Sequence, residues 1–125
     1  MIGVTSVRWR VNSLAKRISE FAAWVSDQMQ CIGPVTVRPM FGGFGLFLEG
    51  LMLGLIADDV LYLKVDALSK ADFLQEGMQP FEYARNGKPF AMSYFEAPES
   101  VFDDQEIMRD WASKAYDAAL RSKSK

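Results

Sequence analysis

VTVRPMFGGFGLFLEGLMLGLIADDVLYLKV, residues 35–65, holds four short apolar runs, at 35–40, 44–48, 51–57 and 60–65. Gly42-Gly43, Glu49-Gly50 and Asp58-Asp59 separate them, two-residue breaks of the kind that reverse one antiparallel strand into the next. The spacing predicts a β-meander. In the last run Leu61, Leu63 and Val65 alternate with Tyr62 and Lys64, as a strand with one buried face should. The middle runs break this rule: Phe44, Leu46 and Leu48 point one way and Phe47 the other, while 51–57 is apolar on both sides. Apolar surface beyond what a few helices can cover is then left for another chain.

Upstream of the meander, Leu14, Ile18, Phe21, Val25, Met29 and Ile32 recur at helical spacing, with Ser13 as the expected N-cap and Gly33-Pro34 as the stop. Downstream, a short helix is expected over 68–76, ended by Gly77. Strands at 81–85 and 88–96 then flank Asn86-Gly87, the strongest short hairpin signal. A final helix starts at Asp103, with Glu106 as its capping partner. Ile107, Met108, Trp111 and the alanines at 112, 115, 118 and 119 make its inner stripe, and Asp110 with Lys114 and Asp117 with Arg121 make i,i+4 pairs outside. The order is helix, three or four strands, helix, two strands, helix: an α+β class fold, two layers, with three helices on an antiparallel sheet. Nothing divides the chain, so residues 1–125 read as one domain with a 1–12 extension and a frayed 122–125 tail.

The 125 residues are half apolar, enough for one core without a staple. Cys31 is the only cysteine and there is no histidine, which excludes an internal disulfide and leaves no Ser-His-Asp or Cys-His arrangement. A reducing, cytoplasmic setting is expected, with no membrane span or secretory signal. Near the end of the first helix, Cys31 is expected to be inert and packed. Asp58-Asp59 and Asp103-Asp104 fall where aspartate serves turns and helix starts, so no metal is assigned. Gly42-Gly43-Phe44-Gly45 is followed by a strand rather than a helix, and reads as a strand bend or close backbone approach, not a phosphate cradle. No catalytic residue, metal or cofactor is expected.

Net charge is −2 and the sequence pI is near 5.1, the wrong sign for a protein that binds by neutralising phosphates. The basic residues Arg8, Arg10, Lys16 and Arg17 cluster at the start, whereas 66–117 carries eleven acids against five bases. Tyr62, Tyr83, Tyr94 and Phe95 sit on strands as a base-stacking platform would, but without a basic surround; packing and protein contact explain them better. Direct sequence-specific DNA binding is not expected. Arg38, Phe44, Phe47 and Lys64, two cations and two aromatics of the meander, form the candidate interaction surface, and self-association as a homodimer is expected.

Read in order, Arg38-Pro39-Met40-Phe41-Gly42-Gly43-Phe44-Gly45, Ala57-Asp58 before Leu61-Tyr62-Leu63-Lys64-Val65-Asp66, Ala71-Asp72-Phe73, Gly77-Met78, Pro80-Phe81 and Met92-Ser93-Tyr94 closely resemble the N-terminal domain of the TfoX/Sxy family. The resemblance runs from about Leu14 to the Trp111-Ala112 and Ala115-Tyr116 helix. It implies a secretion-chaperone-like fold and a non-enzymatic part in regulating competence (DNA transformation) genes through a protein partner, the cyclic-AMP receptor protein or the transcription machinery. Members of that family also carry a C-terminal domain, which this chain is too short to include. A stand-alone module that holds a small molecule or peptide against the sheet is the alternative reading.

Overall fold

Glycine and aspartate at the breaks of the meander set its hairpins. The computed structural model describes residues 19–40, 42–85 and 88–123, with the backbone alone over 83–85 and 88–92. The strands are β1 (Thr36–Met40), β2 (Gly43–Leu48), β3 (Leu51–Ala57), β4 (Val60–Lys64), β5 (Pro80–Arg85) and β6 (Lys88–Glu96). Helix α1 (Glu20–Gln28) precedes them, α2 (Lys70–Gln75) follows β4, and α3 (Gln105–Lys123) closes the order. The six strands make one antiparallel sheet ordered β1-β2-β3-β4-β6-β5. Asp58 and Asp59 at φ 51° and 59°, and Glu49 and Gly50 at φ 53° and 80°, take the left-handed backbone that two-residue hairpins demand. The Asn86-Gly87 turn lies outside the described residues.

The middle strands fail to alternate for a geometric reason. Leu46 pairs with Gly54 but Phe47 with Met52, so Leu53 is the extra residue of a bulge. Across it, Leu53 and Ile56 both reach the helix side of the sheet, while Leu55 goes to the opposite side. The main core joins Leu46, Leu61, Leu63 and Phe95 from the strands to Ala22 and Val25 of α1, Phe73 of α2 and Met108, Ala112 and Ala115 of α3. All buried helical side chains among the described residues meet that one face except Ala118 and Ala119, which are buried on α3 apart from it. Trp111 is half-buried there, edge-on to Phe73 with ring centroids 4.8 Å apart.

Three local expectations shift. Within the described residues the first helix starts at Ser19, whose extended backbone (φ −65°, ψ 159°) lets its Oγ accept from the Ala22 N–H at 3.0 Å; it ends in a 3₁₀ turn, Met29–Ile32. Ser13, Leu14 and Ile18 lie outside the described residues. Asp103 closes a 3₁₀ turn (Glu99–Phe102), and it is Asp104 whose Oδ1 accepts from the Glu106 N–H at 2.7 Å at the start of α3. Lys114 and Arg121 make their direct ion pairs elsewhere than with Asp110 and Asp117, although Asp117 still adds its charge to the field at Arg121. Lys114 reaches Asp72 at 2.8 Å and Arg121 grips Asp66 through two donors, because partners on another element also tie α3 to α2 and its approach. No helix among the described residues is long and apolar enough to cross a membrane.

Candidate interaction surface

Among the described residues the helices lie on one face of the sheet, and the other face is lined by strand side chains. Leu55, Phe81 and Tyr94 form a small cluster there, bordered by Met52, Ala57 and Tyr62. The cluster has a connected shape. Arg38 on edge strand β1 lays its guanidinium over the Phe47 ring of β2, 4.0 Å from the centroid. Phe47 pairs with Met52 of β3. A Cβ built on Gly45 between them would meet Met40 Sδ at 2.5 Å, Phe47 Cε1 at 2.8 Å and Met52 Sδ at 3.2 Å, so the missing side chain lets two thioethers and a ring close over the strand.

From Met52 the stripe continues to the middle of the sheet. The Tyr94 hydroxyl donates to the Met52 carbonyl at 3.3 Å, and burial pushes its pKa up to about 12. Lys64 lies over the Tyr94 ring, 5.1 Å from its centroid, and donates to Ser93 Oγ at 2.7 Å. Desolvation there lowers the Lys64 pKa, with Asp66 opposing the shift. Tyr62 packs on Phe81 at 4.7 Å, and its pKa is raised by burial first and then by Glu96 and Asp58. The result is an apolar stripe with one cation lying on an aromatic ring at each end, a pattern that favours contact with protein surface.

Of the four residues singled out in the sequence, the structure brings Arg38 and Phe47 into contact and puts Lys64 on the same face. Phe44 is elsewhere: it pairs with Ile56 and packs half-buried against the helix-side core. Met52 has no signal in the sequence, and Gly45 reads there only as a close backbone approach, since the part of both on this surface depends on the β2–β3 register. Tyr94 and Phe95 separate by alternation, with Phe95 in the main core 5.9 Å from Phe73, which removes Phe95 from any stacking platform. The side chains of Tyr83, Arg85 and Lys88 lie outside the described residues. Cys31 is exposed rather than packed, because the 3₁₀ turn points it outward with its Sγ donating to the Gln28 carbonyl at 3.3 Å. No group of three or more potential metal ligands occurs among the described residues.

The sequence profile of the TfoX N-terminal domain matches residues 27–119, from the last turn of α1 to the end of the buried stripe of α3. Protein Sxy of Escherichia coli (strain K12) is 22% identical over 98 residues, covering 78% of this chain and 47% of that protein. DNA transformation protein TfoX1 of Aliivibrio fischeri (strain ATCC 700601 / ES114) is 32% identical over 68 residues, covering 54% of this chain and 32% of that protein. The chain spans less than half the length of these curated relatives.

Proposed function

The chain belongs to the TfoX N-terminal domain family, and from that membership we propose that it is a non-enzymatic regulatory module, related to competence, that works through protein contacts on the helix-free face of its sheet. The observation that carries this reading is the apolar stripe from Phe47 to Tyr94, with Arg38 and Lys64 lying on its rings. Aromatic side chains topped by cations combine burial with charge selection, as protein interfaces do. The net charge of −2 and Glu96 beside Tyr62 weigh against a phosphate backbone as the ligand. The partners that fit the family resemblance are the cyclic-AMP receptor protein and the transcription machinery, met in the cytoplasm, and a second copy of the chain is a further partner for the same face.

The test is capture of the purified chain on immobilised cyclic-AMP receptor protein and, separately, RNA polymerase. The chain should be retained at low salt, released at high salt and lost when Phe47→Asp places a charge in the stripe. Undiminished capture of the variant would move the contact off this face. The chain alone should not shift promoter DNA at physiological salt; a complex that survives competitor DNA would overturn the protein-contact reading.

A further inference from the structure

A second surface lies away from Phe47, where α1, the 3₁₀ turn Glu99–Phe102 and the ends of β4 and β6 meet, and it shares Glu96 with the Tyr62 border of the other face. Trp24 of α1 is 41% exposed, a large indole open to solvent beside two further rings. It stacks beside Phe21 at 6.5 Å and Phe102 at 5.8 Å, and those two rings are 5.8 Å from each other. Phe21, Met78 and Phe102, all half-buried, wall a groove of about 390 Å³, with the buried Leu61 and Ala97 beneath it. Three carboxylates, Asp59, Glu96 and Glu99, stand along it, and among the described residues no basic residue lines it. All three are exposed, and none has an ion-pair partner among the described residues.

Two independent features select the same charge. Ring faces carry the negative lobe of the aromatic quadrupole and attract cations, and the carboxylates set a negative field over the same opening. The half-buried Phe21 and Met78 meanwhile gain from an aliphatic side chain laid against them. We propose that this groove docks a basic peptide segment of a partner protein, with an aliphatic residue on Phe21 and Met78 and arginines set over the Trp24 and Phe102 rings and against Glu96 and Glu99. The occupant differs in kind from that of the sheet stripe, which carries its own cations.

Fluorescence anisotropy of a fluorescein-labelled synthetic peptide alternating arginine and leucine, titrated with the full chain, tests this. The arginine peptide should bind and its glutamate counterpart should not. The double variant Glu96→Gln/Glu99→Gln, changed only at exposed positions, should weaken binding by about tenfold, and Trp24→Ala should weaken it by a similar factor. Phe47→Asp should leave it unchanged, which separates the groove from the stripe. Equal binding of both peptides, unaltered affinity in the double variant, or no binding of the arginine peptide would each overturn the proposal. Tighter binding by a full-length chain with Arg8, Arg10, Lys16 and Arg17 all replaced by Gln would assign the groove to the chain's own basic start, and would overturn the partner as well.

Discussion

The three glycines at 42, 43 and 45 are alike in sequence and different in cause. Gly42 has φ 76° with open space where a Cβ would stand, Gly43 would drive a Cβ to 2.0 Å from the Ile56 carbonyl oxygen, and Gly45 is roofed by thioethers and a ring. A strand bend or close backbone approach was legible from the run itself. Which glycine bears which constraint was not, because it depends on the register with β3. Gly43→Ala should therefore cost about 3 kcal/mol, since the clash is with backbone that cannot step aside without breaking the β2–β3 ladder. Gly42→Ala should cost only about 1 kcal/mol, the strain of a left-handed alanine. Urea midpoints of the two variants give the order directly, and a reversed order would show that β3 yields freely at Ile56.

The elements of the fold were more legible than their couplings. Strands 51–57 and 88–96 fall where the turn residues at 49–50, 58–59 and 86–87 put them, because those signals are local. The direct ion pairs of Lys114 and Arg121 are illegible for the opposite reason: i,i+4 neighbours such as Asp117, which does act on Arg121, are visible along one helix, whereas Asp72 and Asp66 come near only once α3 lies beside α2. Asp66 also accepts from the Leu68 and Ser69 N–H groups at 3.1 Å, so one carboxylate holds the approach to α2 and the end of α3 together. The Arg121 hydrogen bonds, against a smaller opposing burial, hold its pKa well below the usual carboxylate range, with Ser69 assisting. A folded pKa depressed below the unfolded one contributes stability above the unfolded value, and loses it as pH falls toward the folded one. Stability should thus decline as pH drops below about 4, and Arg121→Gln should be less stable at neutral pH with a shallower decline over that window. Urea midpoints between neutral and acid pH check this; parallel curves for the two proteins would show that Asp66 is not the group responsible.

At the scale of the whole molecule, the three α-helices among the described residues close one sheet face, and the other carries strand side chains. The surplus of apolar strand surface is legible in 51–57, which is apolar on both sides, whereas the separation of Phe44 from Phe47 on the candidate surface is not. The bulge and pairing turn Phe44 to the helix-side core and leave Phe47 on the stripe. Self-association is then best tested at Phe47, because Phe44→Asp would bury a charge in the monomer itself and confound unfolding with dissociation. The Met40, Phe47 and Met52 patch, beside edge strand β1, is the part of this face that a two-fold dimer would use. Sedimentation equilibrium at micromolar concentration should show a species of twice the chain's 14.1 kDa, and Phe47→Asp should return it to monomer with its urea midpoint nearly unchanged, since the half-buried ring leaves room for the carboxylate to reach water. If the regulatory partner uses the same stripe, the two associations compete, and dilution of the chain should raise the fraction captured on the partner. A single 14.1 kDa species at every concentration would sink the dimer and leave the stripe to the partner alone.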